Sequence, residues 1–148
     1  MSRSAFYNTI VNDWRLNLLG IRQDSVFHNW AVEERPIDSG PFIILQWGDE
    51  PGPIWEGVEL NGARDVAVWV HYPREITNDF DKINVIIDAI DDAMRGASDV
   101  VGKDCYTMPF VKIGGRSGDL TDDGLNTITR TVAYQVFSYK TDKDLSNA

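Results

Sequence analysis

Arg64-Asp-Val-Ala-Val-Trp-Val-His-Tyr72 is the stretch that decides the fold. Read as a strand, it places Val66, Val68 and Val70 on one face and Ala67, Trp69 and His71 on the other. Both faces are apolar. Phe42 to Trp47 has the same character, with Phe42 and Ile44 opposing Ile43, Leu45 and Trp47. A sheet built on two such strands needs cover on both sides.

Working outward, Pro73 ends the strand, and Thr77 or Asn78 is placed to cap a helix from about Asp79 to Arg95, closed by Gly96. Its apolar stripe is Ile83, Ile87, Ile90 and Met94, flanked by Phe80 and Ile86. Asp81, Asp88, Asp91 and Asp92 are expected around its polar side, with Asp91 four residues before Arg95 as a surface ion pair. Ser4 to Leu19 reads as a first helix, capped by Ser4 and stopped by Gly20, with Phe6, Ile10, Trp14 and Leu18 on one stripe.

The remaining segments read as strands and turns. A short strand runs from Val26 to Val32, and a turn from Pro36 to Pro41. A strand is expected from Cys105 to Ile113, then a glycine-rich acidic loop from Gly114 to Gly124. A long Thr-rich strand follows from Asn126 to Tyr139, and residues 140–148 form a polar tail. The order helix, strand, strand, strand, helix, strand, strand predicts one α+β domain over residues 1–148. Its single mixed or antiparallel sheet has about five strands, with two helices packed on one face. Two helices cover one face only, so the other requires a loop, a partner or a second subunit, and self-association through it is expected.

Composition narrows the function. With 43% hydrophobic residues, 25% charged residues, five Trp, five Tyr and six Phe, the chain has the material for a core. A net charge of −9, with basic residues scattered singly from Arg3 to Lys143, works against gripping a phosphate backbone. The single cysteine, Cys105, allows no internal disulfide. The longest apolar run, Val66 to Val70, is far short of the ~20 residues that span a bilayer. Met1-Ser-Arg-Ser-Ala-Phe6 leads into no apolar stretch of signal-peptide length, so a product assembled in the cytoplasm is expected.

No catalytic, cofactor or metal site emerges. Asp119, Thr121 and Asp123 before Gly124 match the first half of an EF-hand loop, but Arg130 occupies the position of the bidentate glutamate. Asp88, Asp91 and Asp92 sit on a helix without a histidine. Cys105 with His28 or His71 lacks any local activating signature. Gly114 to Gly118 lacks the Gly-Lys-Ser/Thr ending of a phosphate loop.

The segment suited to contacts is Gly48 to Gly62, a long acidic loop punctuated by Pro51, Gly52, Pro53 and Gly57. Its Asp49, Glu50, Ile54, Trp55, Glu56 and Glu59, with Trp47 and Trp69 in the flanking strands, are the candidate docking residues.

Three segments carry a family resemblance. They are Gly40-Pro-Phe-Ile-Ile-Leu-Gln-Trp-Gly48; Val66-Ala-Val-Trp-Val-His-Tyr-Pro73 running through Asp79-Phe-Asp-Lys-Ile-Asn-Val-Ile-Ile-Asp-Ala-Ile90; and Asp122-Asp-Gly-Leu-Asn-Thr-Ile-Thr-Arg-Thr-Val-Ala-Tyr-Gln-Val136. In this order and spacing, over roughly residues 4 to 140, the chain resembles the tail terminator proteins of long-tailed (siphovirus-type) bacteriophages, particularly those infecting actinobacteria. The resemblance implies a non-enzymatic subunit of a homohexameric ring at the head-proximal end of the tail. Such a ring contacts the major tail tube protein on one side and a head–tail connector protein on the other. DNA passes through its lumen without specific binding. It implies no cofactor and no catalytic residues. Another head–tail connector or tail-completion subunit is the alternative, and a small cytoplasmic enzyme or ligand-binding domain the alternative from a different class.

Overall fold

The structure, a computed structural model, describes residues 3–28, 40–49, 60–97, 100–101, 106–108 and 111–140. Two 14-residue strands, β3 (Leu60–Pro73) and β8 (Thr127–Lys140), form its axis, paired antiparallel from Leu60↔Tyr139 to Pro73↔Thr127. Both are rich in β-branched and aromatic residues, which fit a pleated, covered surface. β2 (Phe42–Trp47) adds antiparallel to β3, and β1 (Val26–His28) adds parallel to β2.

On its other edge β8 pairs in turn with β7 (Leu120–Asp122), β6 (Val111–Arg116) and β5 (Tyr106–Met108), while β4 (Val100–Val101) joins β5. The result is one mixed sheet of eight strands, six rows across. The α+β class and the single sheet are as expected, but the strands are more numerous than about five.

One extra strand, β4, lies at residues 100–101, outside any predicted strand, and the others come from two predicted segments. The 105–113 strand is two pieces, β5 and the start of β6; Cys105 lies outside the described residues. The expected 114–124 loop is largely strand, because the long free edge of β8 pairs with whatever runs beside it. Glycine makes one close approach feasible. A Cβ on Gly114 would lie 2.9 Å from the Ala133 carbonyl oxygen. Only Val26–His28 of the predicted 26–32 strand is described.

Three helices lie on one face instead of two. α3 (Phe80–Gly96) follows the predicted stripe, with Ile83, Ile87, Ile90 and Met94 all buried. Its cap is Asp79, whose carboxylate accepts from the Asp81 amide at 3.0 Å; Thr77 instead caps the turn before it.

The N-terminal helix is broken. α1 (Arg3–Val11) ends at Asn12, and α2 (Trp14–Leu18) restarts from Asp13. Asp13 takes an extended backbone, φ −74° and ψ 122°, and its side chain accepts from the Arg15 amide at 3.3 Å. A short acidic side chain favours such a cap over helix interior. The break turns α2 about its axis. Phe6 and Ile10 are buried as expected, but Leu16 goes inward and Trp14 and Leu18 face out, 68% and 77% exposed.

The main core lies between helices and sheet. Val66, Val68 and Val70 of β3, with Val132, Tyr134 and Val136 of β8, meet α1 and α3 there. No helix among the described residues is long and apolar enough to cross a membrane.

Candidate assembly surfaces

On the helix-free face, Trp69 of β3 lies opposite Ile44 of β2 and Thr131 of β8. At the β1–β2 side, Phe42 and Ile44 are fully buried in a second, smaller cluster with Leu125, flanked by Phe27 and Trp69. His71 stacks on Phe42 (4.9 Å, 4°), with its Nδ1 2.8 Å from Thr127 Oγ1. This face requires a loop, a partner or a second subunit as cover, and Phe42 and Ile44 receive theirs from the chain itself.

Toward β6 the character changes. Ala67, Ala133 and Gly114 floor a depression of about 480 Å³ rimmed by Asp65, Lys112 and Gln135. Small side chains leave room here instead of presenting apolar bulk.

The candidate docking residues separate. Trp69 is half-buried on the helix-free face, where its indole N–H donates to Gln46 Oε1 at 3.1 Å. Trp47 points to the opposite face, packs edge-on against Phe6 at 5.5 Å, and lies under the guanidinium groups of Arg64 and Arg3 at 5.2 and 5.7 Å. Trp47 is thus tied into the edge of the main core. Asp49 is exposed. Glu50, Ile54, Trp55, Glu56 and Glu59 lie outside the described residues.

The structure assembles a polar network that the sequence reading missed. Asp91, expected on the solvated side of α3, is buried, and it accepts from the Tyr134 hydroxyl and from Arg116 Nη2, both at 2.5 Å. Arg116 also reaches Asp88 at 2.7 Å, so β6, β8 and α3 are tied at one point. The expected partner of Asp91, Arg95, pairs with Asp92. The signal was present in the spacing: Asp91 follows Ile87 by four residues and precedes Met94 by three, which puts it on the buried stripe.

Burial works against the Arg116 charge, but the hydrogen bonds to Asp91 and Asp88 outweigh it and raise its pKa. Burial, reinforced by the hydrogen bond to Asp91, pushes the Tyr134 hydroxyl well above the usual tyrosine range. Nearby, Arg130 holds the 117–119 turn through the Ser117 carbonyl and reaches Asn84 on α3.

These contacts account for the acidic motifs. Asp119 lies 3.8 Å from Arg130, and Asp122 accepts from the Leu125 amide in the β7–β8 turn. His28 and His71 lie on opposite faces of the sheet: His28 tilts against Tyr7, and His71 stacks on Phe42. Among the described residues, no three His, Cys, Asp or Glu side chains converge on a point.

No protein-family model matches the sequence, and no curated protein matches it. Among solved structures, one chain of the virion of a native gene transfer agent particle has this fold. The TM-score is 0.66 at 17% sequence identity, over 93% of this chain and 95% of that one. At such identity the likeness establishes a shared α+β architecture running nearly end to end in both chains.

Proposed function

We propose that this chain is a structural virion protein that works by assembly. Its specific role on this reading is tail terminator, a ring subunit that caps the tail tube, ends its polymerisation and joins the tail to the head-side connector. The observation that carries the reading is the end-to-end fold likeness to a chain of a gene transfer agent virion. The narrower role rests on the resemblance of three sequence segments to tail terminators. The acid balance, net −9, suits a ring through whose lumen DNA slides without being held. Asp91, Tyr134 and Arg116 satisfy one another beside the core, a structural arrangement that suits a scaffold.

The mechanism follows from geometry. A tube of stacked rings presents the same binding surface after each addition, so nothing in the tube stops the next ring. A cap must bind that surface and present a different one beyond it. The test is to add the purified protein to isolated open-ended tail tubes in the presence of excess tube subunit. Tubes should stop lengthening and carry a ring at one end by electron microscopy. Tubes that lengthen unchanged, without end-bound density, would remove the terminator role.

A further inference from the structure

We infer that two copies of this chain pair face to face through the open part of the helix-free sheet face, around a two-fold axis that runs along β8. The row that decides it crosses three strands in register. Asp65 of β3 and Lys112 of β6 both lie opposite Gln135 of β8. Read across the sheet, the row is negative, neutral, positive. Asp65 and Lys112 are exposed, and neither makes an ion pair with a described residue.

An antisymmetric row selects its partner. A partner of one sign would satisfy one end of the row and oppose the other, whereas a second copy satisfies both. A half-turn around an axis parallel to β8 keeps each row at its own height and exchanges its two ends. It sets Asp65 of one copy against Lys112 of the other, twice, and Gln135 against its own counterpart, whose amide both donates and accepts. The other two-fold in the plane of the face, running across the strands, would set Asp65 against Asp65 and Lys112 against Lys112 and is disfavoured.

The neighbouring row makes the approach feasible. Ala67, Ala133 and Gly114 floor the depression of about 480 Å³, so no bulky side chain holds the two faces apart. Trp69, the large residue beside this floor, donates to Gln46 of β2 and so leans away from β8. The contact patch is small, which makes the pairing weak, with a Kd on the order of 0.1 mM. The pairing does not depend on the terminator reading, and its failure leaves the tube-capping test untouched.

The test is sedimentation equilibrium of the full chain from about 10 μM to about 1 mM. A salt concentration of about 0.15 M screens most of the repulsion between two chains of net charge −9. The native chain should pass from one copy to two. Asp65→Lys and Lys112→Asp each turn both contacts from attraction to repulsion and should weaken pairing by about tenfold or more. Thermal melts establish that each variant is folded. The double variant should recover the native affinity. An equimolar mixture of the two single variants should pair as well, because one then presents two lysines and the other two aspartates. The proposal is overturned by a native chain that stays monomeric throughout, by an association that ignores either swap, or by single variants that do not restore each other when combined or mixed.

Discussion

The two faces of the sheet begin from similar patterns and end differently. On the helix side, Val66, Val68 and Val70 of β3 lie beside Val132, Tyr134 and Val136 of β8, all buried under α1 and α3. On the other, Ala67 and Trp69 lie beside Ala133 and Thr131, and Ala133 is exposed. Alternation alone does not tell these faces apart, because both read as apolar. Side-chain size does. Branched and aromatic residues fill a closed layer, while alanine and glycine leave a shallow floor around 480 Å³ of open volume.

The largest effect expected from this contrast is on folding. Ile87→Asp places a carboxylate in the closed layer and should cost several kcal/mol, on the order of the whole stability margin of a domain. Ala133→Lys, on the open floor, should cost less than about 1 kcal/mol. Urea or thermal melts rank the pair, and the reverse order would exchange the roles of the two faces.

A smaller effect sharpens the contrast within one helix. Asp91→Ala leaves the Tyr134 hydroxyl and Arg116 without their buried acceptor and should destabilise by about 3 kcal/mol. Asp88→Ala removes a solvent-exposed partner of Arg116 and should stay within about 0.5 kcal/mol. Equal costs would show that the network is not what ties α3 to β6 and β8.

The same network gives a pH signature. The folded state raises the Tyr134 pKa, so above about pH 10 the unfolded chain loses a proton that the folded chain keeps. Stability present below that pH is then lost as pH rises, by about 1.4 kcal/mol per unit from this group. In urea midpoints measured from pH 9 to 11, Tyr134→Phe should show a shallower alkaline decline than the native protein. Parallel declines would mean that Tyr134 ionises as freely in the fold as outside it.

These residues also show how far the sequence is legible. The α3 stripe and the alternation of β3 could be read because periodicity reports burial directly. The break at Asp13 could not be read from the i+4 spacing of Phe6, Ile10, Trp14 and Leu18, since a single capping side chain outweighed that pattern. Asp91 occupied a stripe position, but its charge argued for solvent. Only the arrival of Tyr134 and Arg116 from distant strands made burial feasible. The β6–β7 strands depended on the free edge of β8, a partner that no local reading of Gly114 to Gly124 contains. Of the docking set, Trp47 and Trp69 were placed in the right strands, yet their one-residue difference in phase sends them to opposite faces.

The proposed role in completing a virion tail is tested by electron microscopy of particles made when the reading frame of this protein is stopped early. Capsids and tails should both form but remain unjoined, with tails of irregular and often excessive length, and the intact protein supplied in trans should restore joined particles. Joined, infectious particles of uniform tail length from the stopped frame would contradict the account.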